Sequence, residues 1–351
     1  MQPSSTLTAA RAVCGWRAPD RGAADPDADV AWLLPPRMIT NIQFEVSPGE
    51  AGLRLDALVR ARAPTSTAAL VRRALEAGTI LVQGRVAEKG GKVRPGEIVS
   101  IAELLEVSDL RVQPNPALRL EILFQDDDLV AINKPAGMAV HPLRPEETGT
   151  LANALVAQFP EIAALGDQPL LAGVAHRIDT DTSGLVLAAR TAAAFEALRA
   201  QFAARRVEKT YLALVAGAVK RDGELTHDLA HHPTSRGRMV DARSLRVAER
   251  PMHAVTAFRV VRRVGAFTLL EVTIFTGVTH QIRCQLALIE HPLVGDTLYH
   301  GPAVRGFDRH FLHAAAVALA HPRSGDPMRI EAPLTPDLRA LLAALEQNAP
   351  K

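Results

Sequence analysis

Residues 175–184 read Ala-His-Arg-Ile-Asp-Thr-Asp-Thr-Ser-Gly. An arginine, Arg177, stands two residues before an acid, Asp179, and a row of small hydroxyl and acidic residues follows, closed by Gly184. The unbroken apolar run from Leu185 to Ala189 predicts a buried strand. A carboxylate at the mouth of a core is expensive unless a nearby cation keeps it ionised. An ionised Asp179 placed there could serve as a nucleophile or as a base. The same residues also suit a turn in which Asp179, Asp181 and Thr182 cap backbone amides, and spacing alone leaves both readings open.

The chain that must position this stretch has 351 residues, 48% of them apolar, enough for two domains or one large one. Cys14 and Cys284 form neither a disulfide framework nor a metal-ligand spacing, so a cytoplasmic protein is expected. His231 and His232 are adjacent and would point to opposite sides of an extended chain, so they read as surface residues and no metal is expected. No apolar run approaches the ~20 residues that cross a bilayer. Residues 1–38 mix Ala, Arg, Pro and Asp without period and lack the apolar region of a signal peptide, which predicts a disordered extension.

Residues 39–102 predict a small first domain. Alternation over Ile42–Val46 predicts a strand, and Leu53, Leu55, Leu58 and Val59 make a helical stripe. A second helix is expected from Ser66, as cap, to Ala77, with Gly78 ending it. A hairpin turning at Gly84 and a strand over Glu97–Ile101 complete the unit. Between Gly52 and Arg94 stand nine Lys or Arg against three Asp or Glu, although the whole chain has a net charge of only +2. Arg60, Arg62, Arg72 and Arg73 gather on the two helices, either as a solvated basic face or as a patch that follows phosphates. Residues 103–118, acidic and stiffened by Pro114 and Pro116, predict a linker.

Residues 119–346 predict the second domain. It opens with strands over Leu120–Phe124 and Leu129–Ile132, then a turn through Asn133-Lys134-Pro135-Ala136-Gly137. Helices are expected over Leu151–Phe159, Thr191–Phe202 and Pro336–Leu345, and strands over Glu208–Val215, Ala254–Arg262 and Phe267–Phe275. Tyr211 falls on the same strand face as Ala213 and Val215, which by itself reads as core packing. The stretch Thr276–Arg283 opens a further helix whose buried face is Ile282, Leu286 and Ile289.

Several of these segments, in this order, resemble the RluA-type pseudouridine synthases. The carriers are H-R-I-D-x-x-T-S-G around Asp179, N-K-P-x-G at 133–137, K-x-Y at Lys209–Tyr211, T-H-Q-I-R ending at Arg283, H-P-L-V-G-D at 291–296 and F-L-H-A at 311–314. Val278, Gln285 and Glu290 depart from the usual arginine, histidine and glycine of that pattern. The first domain is similar to an S4 RNA-binding domain, with Ser66-Thr67 where a Ser-Arg pair is common. The resemblance implies an α+β fold: a catalytic domain with a long mixed, mainly antiparallel sheet flanked by helices, preceded by a small α/β S4-like domain.

The resemblance further implies that uridine in RNA becomes pseudouridine: the N1–C1′ bond breaks, the uracil turns, and C5 joins C1′. No redox step or transferred group is involved, so no cofactor is implied. Asp179 would be the catalytic carboxylate, attacking sugar or base or removing the C2′ proton, and Arg283 would pair with it. Tyr211 would stack on the flipped base and relay a proton. Arg177 and Lys209 would meet RNA, together with Arg60, Arg62, Arg72 and Arg73. The expected partner is structured RNA, 23S ribosomal RNA before others, because S4-bearing members commonly act there; a monomer is expected. Two other classes compete. The order Asp179-x-Asp181 also suits an aspartate-nucleophile phosphatase, although Asp296 lacks the second nearby acid that magnesium would need. A non-catalytic RNA-binding protein would explain the basic domain but not the joint presence of Asp179, Tyr211 and Arg283.

Overall fold

The computed structural model describes residues 38–347, apart from 65, 89, 106–110, 167, 236 and 246–250. The extension expected over 1–38 lies outside the described residues up to residue 37, and Met38 begins a strand. That strand, β1 (Met38–Glu45), is followed by helices α1 (Leu55–Arg62) and α2 (Ala68–Glu76) and strands β2 (Ile80–Val82), β3 (Arg85–Val86) and β4 (Ile98–Leu105). The strands form one antiparallel sheet in the order β1-β4-β2-β3. Leu55, Leu58 and Val59 of α1 and Val71, Ala74 and Leu75 of α2 share a core with Ile80, Val99, Ile101 and Leu104. Both Gln83 and Gly84 have positive φ, 52° and 74°, as a two-residue hairpin turn with right-handed strand twist requires.

Three expectations for this region are corrected. Leu53 is 45% exposed and outside α1, because its backbone pairs with Val93 and stays extended. Thr67, not Ser66, caps α2 by accepting from the Leu70 amide at 3.3 Å, while the Ser66 hydroxyl donates to the Leu105 carbonyl at 2.7 Å. Residues 103–105, read as linker, continue β4 and pair with Met38–Thr40. Further along that stretch, Val112 is buried in the core under the larger sheet.

The remaining elements are β5 (Ile122–Gln125), β6 (Leu129–Lys134), α3 (Leu151–Gln158), β7 (Ser183–Ala189), α4 (Ala192–Ala203), β8 (Glu208–Ala216), β9 (Gly223–His231), β10 (Met239–Asp241), β11 (Met252–Val264), β12 (Phe267–Ile274), α5 (Gln281–Leu288), β13 (Leu312–Ala320), β14 (Pro327–Glu331) and α6 (Pro336–Gln347). Ten strands form one sheet in the order β10-β9-β11-β12-β8-β13-β7-β6-β5, with β14 also paired to β13. Every pairing is antiparallel except β13 with β7, so the sheet is mixed and mainly antiparallel, as expected. Strands β9, β10, β13 and β14 are additional to those the sequence predicts. The parallel contact needs Gly184: a Cβ there would lie 2.2 Å from the Ala314 carbonyl oxygen.

This order puts β7, β13, β8 and β12 side by side. The Asp179 loop leads into β7, Tyr211 lies on β8, and β12 leads through residues 275–280 into α5, which carries Arg283. Helix α5 is buried from Gln281 through Leu286, wider than the stripe expected, and Ile289 lies just past its end. Glu290 then takes φ 63°, the left-handed region where glycine is unstrained. Since that conformation costs a residue with a Cβ about 1–2 kcal/mol, partly offset by the flexibility of glycine when unfolded, Glu290→Gly is expected to stabilise the protein by up to about 1 kcal/mol in urea denaturation.

Candidate active site

Three side chains form the centre of the site. The Arg283 guanidinium donates from Nη1 to Asp179 Oδ2 at 2.9 Å. Its other edge makes a two-point contact with Asp296, Nε to Oδ2 at 2.7 Å and Nη2 to Oδ1 at 2.9 Å. Burial works against the arginine's charge, but Asp296 and Asp179 outweigh it and hold its pKa above the usual value. The arginine is therefore a fixed cation clamped between a fully buried carboxylate and a part-exposed one. Asp179 Oδ1 has no hydrogen-bond partner among the described residues.

Asp179, Tyr211, Arg177 and Arg283 line one cavity of about 680 Å³, within the size range of pockets that enclose a small ligand. Tyr211 is 6% exposed, and burial, helped by the Asp179 charge, pushes its phenol pKa up, so the ring stays neutral. A neutral phenol can stack and donate, but it is a poor base. Arg177 is exposed and donates to Thr279 Oγ1 at 3.1 Å, which ties the Asp179 loop to the segment before α5. His176 accepts the Leu187 amide proton on Nε2 at 3.1 Å and packs on Phe202 at 5.1 Å between ring centroids. Burial pushes its pKa down to about 3, so it is a neutral structural ring.

Lys209, expected at the RNA, lines the same cavity from a buried position. It is 6% exposed, its ammonium donates to the Thr276 carbonyl at 2.8 Å, and burial lowers its pKa to about 8. It anchors the segment that carries Thr279 and His280 instead of reaching outward. In the basic patch, Arg62 pairs with Glu50 at 2.7 Å and lies over Phe44, and Arg73 is ion-paired with Glu146. Arg60 and Arg72 are exposed, with no acidic partner among the described residues.

Two residues in recognised segments had no role assigned from sequence. Asp296 is the partner that fixes Arg283. Lys134 is fully buried, and its ammonium donates to the carbonyls of Pro135, Met138 and Thr180 at 2.8, 2.7 and 2.9 Å. It knots the Asn133–Gly137 turn to the residue beside Asp179, although burial pushes its pKa down to about 7. Lys134→Met keeps the volume but removes three donors, and unmet buried carbonyls cost about 1–3 kcal/mol each. Thr180 retains the Gly137 amide at 3.0 Å, so the expected loss is nearer ~2 kcal/mol in total, measured by urea denaturation.

The departures from the family pattern also find places. Gln285 is fully buried: its amide donates to the Ala254 carbonyl at 2.9 Å and its oxygen accepts from Thr256 Oγ1 at 2.5 Å. Val278 packs against the cluster of Cys284 and Tyr299.

A clamped carboxylate stands beside a neutral tyrosine in a cavity over the middle of a mixed sheet, an arrangement able to bring a carboxylate to a small bound group. Residues 128–288 match the family described as RNA pseudouridylate synthase. A protein of Xanthomonas campestris named ribosomal large subunit pseudouridine synthase D is 36% identical over 88% of this chain and 93% of its own length. One of the same name from Xylella fastidiosa is 37% identical over 88% and 93%. The solved human RNA pseudouridylate synthase domain containing 1 shares the fold, with TM-score 0.50 and 24% identity over 68% of this chain and all of its own. The chain belongs to the RluA-type RNA pseudouridine synthases and is an isomerase. Among the described residues no helix is long and apolar enough to cross a membrane.

Proposed function

We propose that this pseudouridine synthase acts on uridine in large-subunit ribosomal RNA, with Asp179 as the reacting carboxylate. The observation that carries the chemistry is the clamp Asp296–Arg283–Asp179, which aims one carboxylate into the cavity beside Tyr211. Arg283 holds Oδ2, which leaves Oδ1 to meet the substrate as nucleophile or base. Tyr211, neutral and rigid on β8, supports the uracil ring while the N1–C1′ bond breaks and C5 turns to C1′. Arg177 at the cavity mouth suits the space the flipped nucleotide leaves, or the phosphate beside it. The names of the relatives favour large-subunit ribosomal RNA as the substrate. Pseudouridine maps of RNA from cells with and without the gene test this: loss of large-subunit sites is expected, and loss confined to transfer RNA overturns it.

The unit 39–102 fits an S4-like RNA-binding domain, joined to a catalytic domain spanning 119–346. Of the four arginines on its two helices, Arg60 and Arg72 have no acidic partner among the described residues and are free to meet phosphate. Since each single-strand phosphate contact contributes about −0.7 to the slope of log affinity against log salt, the Arg60→Ala/Arg72→Ala protein should bind RNA with a slope shallower by about 1.4. An unchanged slope in filter binding marks the patch as a solvated face.

A further inference from the structure

His280 stands in an unfavourable backbone conformation beside Asp179. It takes φ 51° and ψ 22°, the left-handed region that a histidine visits only at a cost. Buried polar contacts hold it there. The Gln281 side-chain oxygen accepts from Thr276 Oγ1 at 2.8 Å and from the Val278 amide at 3.2 Å, and its NH₂ donates to the Val255 carbonyl at 2.9 Å. Strain that the surroundings maintain at the edge of an active-site cavity points to a role for the side chain.

The ring lies between two groups. Nδ1 is 3.1 Å from the Tyr299 hydroxyl, and Nε2 is 3.8 Å from Asp179 Oδ2. The Tyr299 oxygen already accepts the Met239 amide proton at 2.9 Å. Burial keeps that phenol protonated, and among the described residues its proton has one acceptor, Nδ1 of His280. Nδ1 is therefore the acceptor, and the ring proton of a neutral His280 sits on Nε2, turned toward Asp179. Burial lowers the His280 pKa despite the pull of the Asp179 charge, which favours the neutral ring.

We propose that His280 is a positioning residue for the isomerisation: Tyr299 fixes its Nε2–H tautomer, and that N–H shares Asp179 Oδ2 with Arg283 so that Oδ1 is the oxygen presented to the uridine. The separation of 3.8 Å is longer than a hydrogen bond, and such contacts in unliganded sites tighten when substrate closes them. The proposal rests on Asp179 being the reacting carboxylate.

His280→Asn and Tyr299→Phe test it in the full chain, on whichever RNA the unaltered protein turns over. Asparagine tolerates the left-handed backbone but is too short to reach Asp179. The expected result is a kcat lower by roughly 10- to 100-fold with KM within about threefold, the pattern of a misaimed reacting group. Tyr299→Phe keeps the ring packing and frees the tautomer, so a smaller fall in kcat is expected. Two-bond proton–nitrogen spectra of histidine-labelled protein, with the His280 signal identified by its absence from His280→Asn, should show Nε2–H in the unaltered chain and a mixture in Tyr299→Phe. An Nδ1–H ring in the unaltered chain, an unchanged kcat in His280→Asn, or an effect on KM alone overturns the proposal. If His280→Asn fails to fold, the Tyr299→Phe kcat and its spectra against the unaltered chain decide. Full turnover by Asp179→Asn would instead remove the carboxylate assignment and leave the measured tautomer standing.

Discussion

The Asp179→Asn protein is expected to form no pseudouridine while binding its RNA within about tenfold of the unaltered chain, a difference of ~1.4 kcal/mol. Asparagine is nearly isosteric, and its amide oxygen can still accept from Arg283 Nη1. It carries no charge, so it can neither attack nor take a proton. From sequence alone, Arg283 would be left buried and unpaired by this change, at a cost of a few kcal/mol. The structure removes that cost, because the guanidinium keeps both bonds to Asp296. The melting temperature should therefore stay close to that of the unaltered protein, which separates loss of chemistry from loss of fold. Asp181→Asn is the control: its side chain is exposed, and the Arg309 contact at 3.0 Å goes to its backbone carbonyl, which the substitution does not touch. Tritium release from RNA labelled at uridine C5, with filter binding alongside, measures both proteins. Full turnover by Asp179→Asn, or a loss seen only in Asp181→Asn, would sink the assignment.

What could be read from the sequence followed local pattern. The apolar run Leu185–Ala189 lies within a strand buried at every residue, and alternation placed Tyr211 on the core face with Ala213 and Val215. Strand β13 gives little sign of itself because Leu-His-Ala-Ala-Ala-Val-Ala-Leu-Ala has a single β-branched residue, Val317, and no Phe, Tyr or Trp, the residues that mark strands. Those small residues belong there: the parallel contact with Gly184 brings the backbone of Ala314 too close for a Cβ on the glycine. Charged residues were the hardest to place. Lysine is almost always solvated, so neither Lys134 nor Lys209 signals burial, and each has an acceptor far off in sequence, Thr180 for Lys134 and Thr276 for Lys209. Gly295-Asp296 was visible as part of a motif, but a carboxylate gives no local sign that it will be buried against an arginine on the preceding helix.

Asp296→Ala is therefore expected to do more damage to the fold than any change at Asp179. Asp296 is 2% exposed and Arg283 8%, so their two-point contact is shielded from water. Removing the carboxylate leaves a buried guanidinium with one remaining anionic partner, Asp179, whose side chain is 24% exposed. Breaking a buried pair from one side costs about 3–5 kcal/mol, far more than the pair contributes in net stability. The Tyr299 amide also loses one of its two acceptors, Asp296 Oδ1 at 3.3 Å, and keeps the Asp296 backbone carbonyl at 3.2 Å. Turnover should fall with stability, because nothing then fixes the arginine that aims Asp179. The double substitution Arg283→Met/Asp296→Leu distinguishes the two effects: apolar side chains of similar volume can replace a buried pair at little cost. That protein should regain most of the stability lost in Asp296→Ala, as read by urea denaturation, and still form no pseudouridine. Stability of Asp296→Ala within about 1 kcal/mol of the unaltered chain would mean that Asp179 alone suffices to hold the arginine.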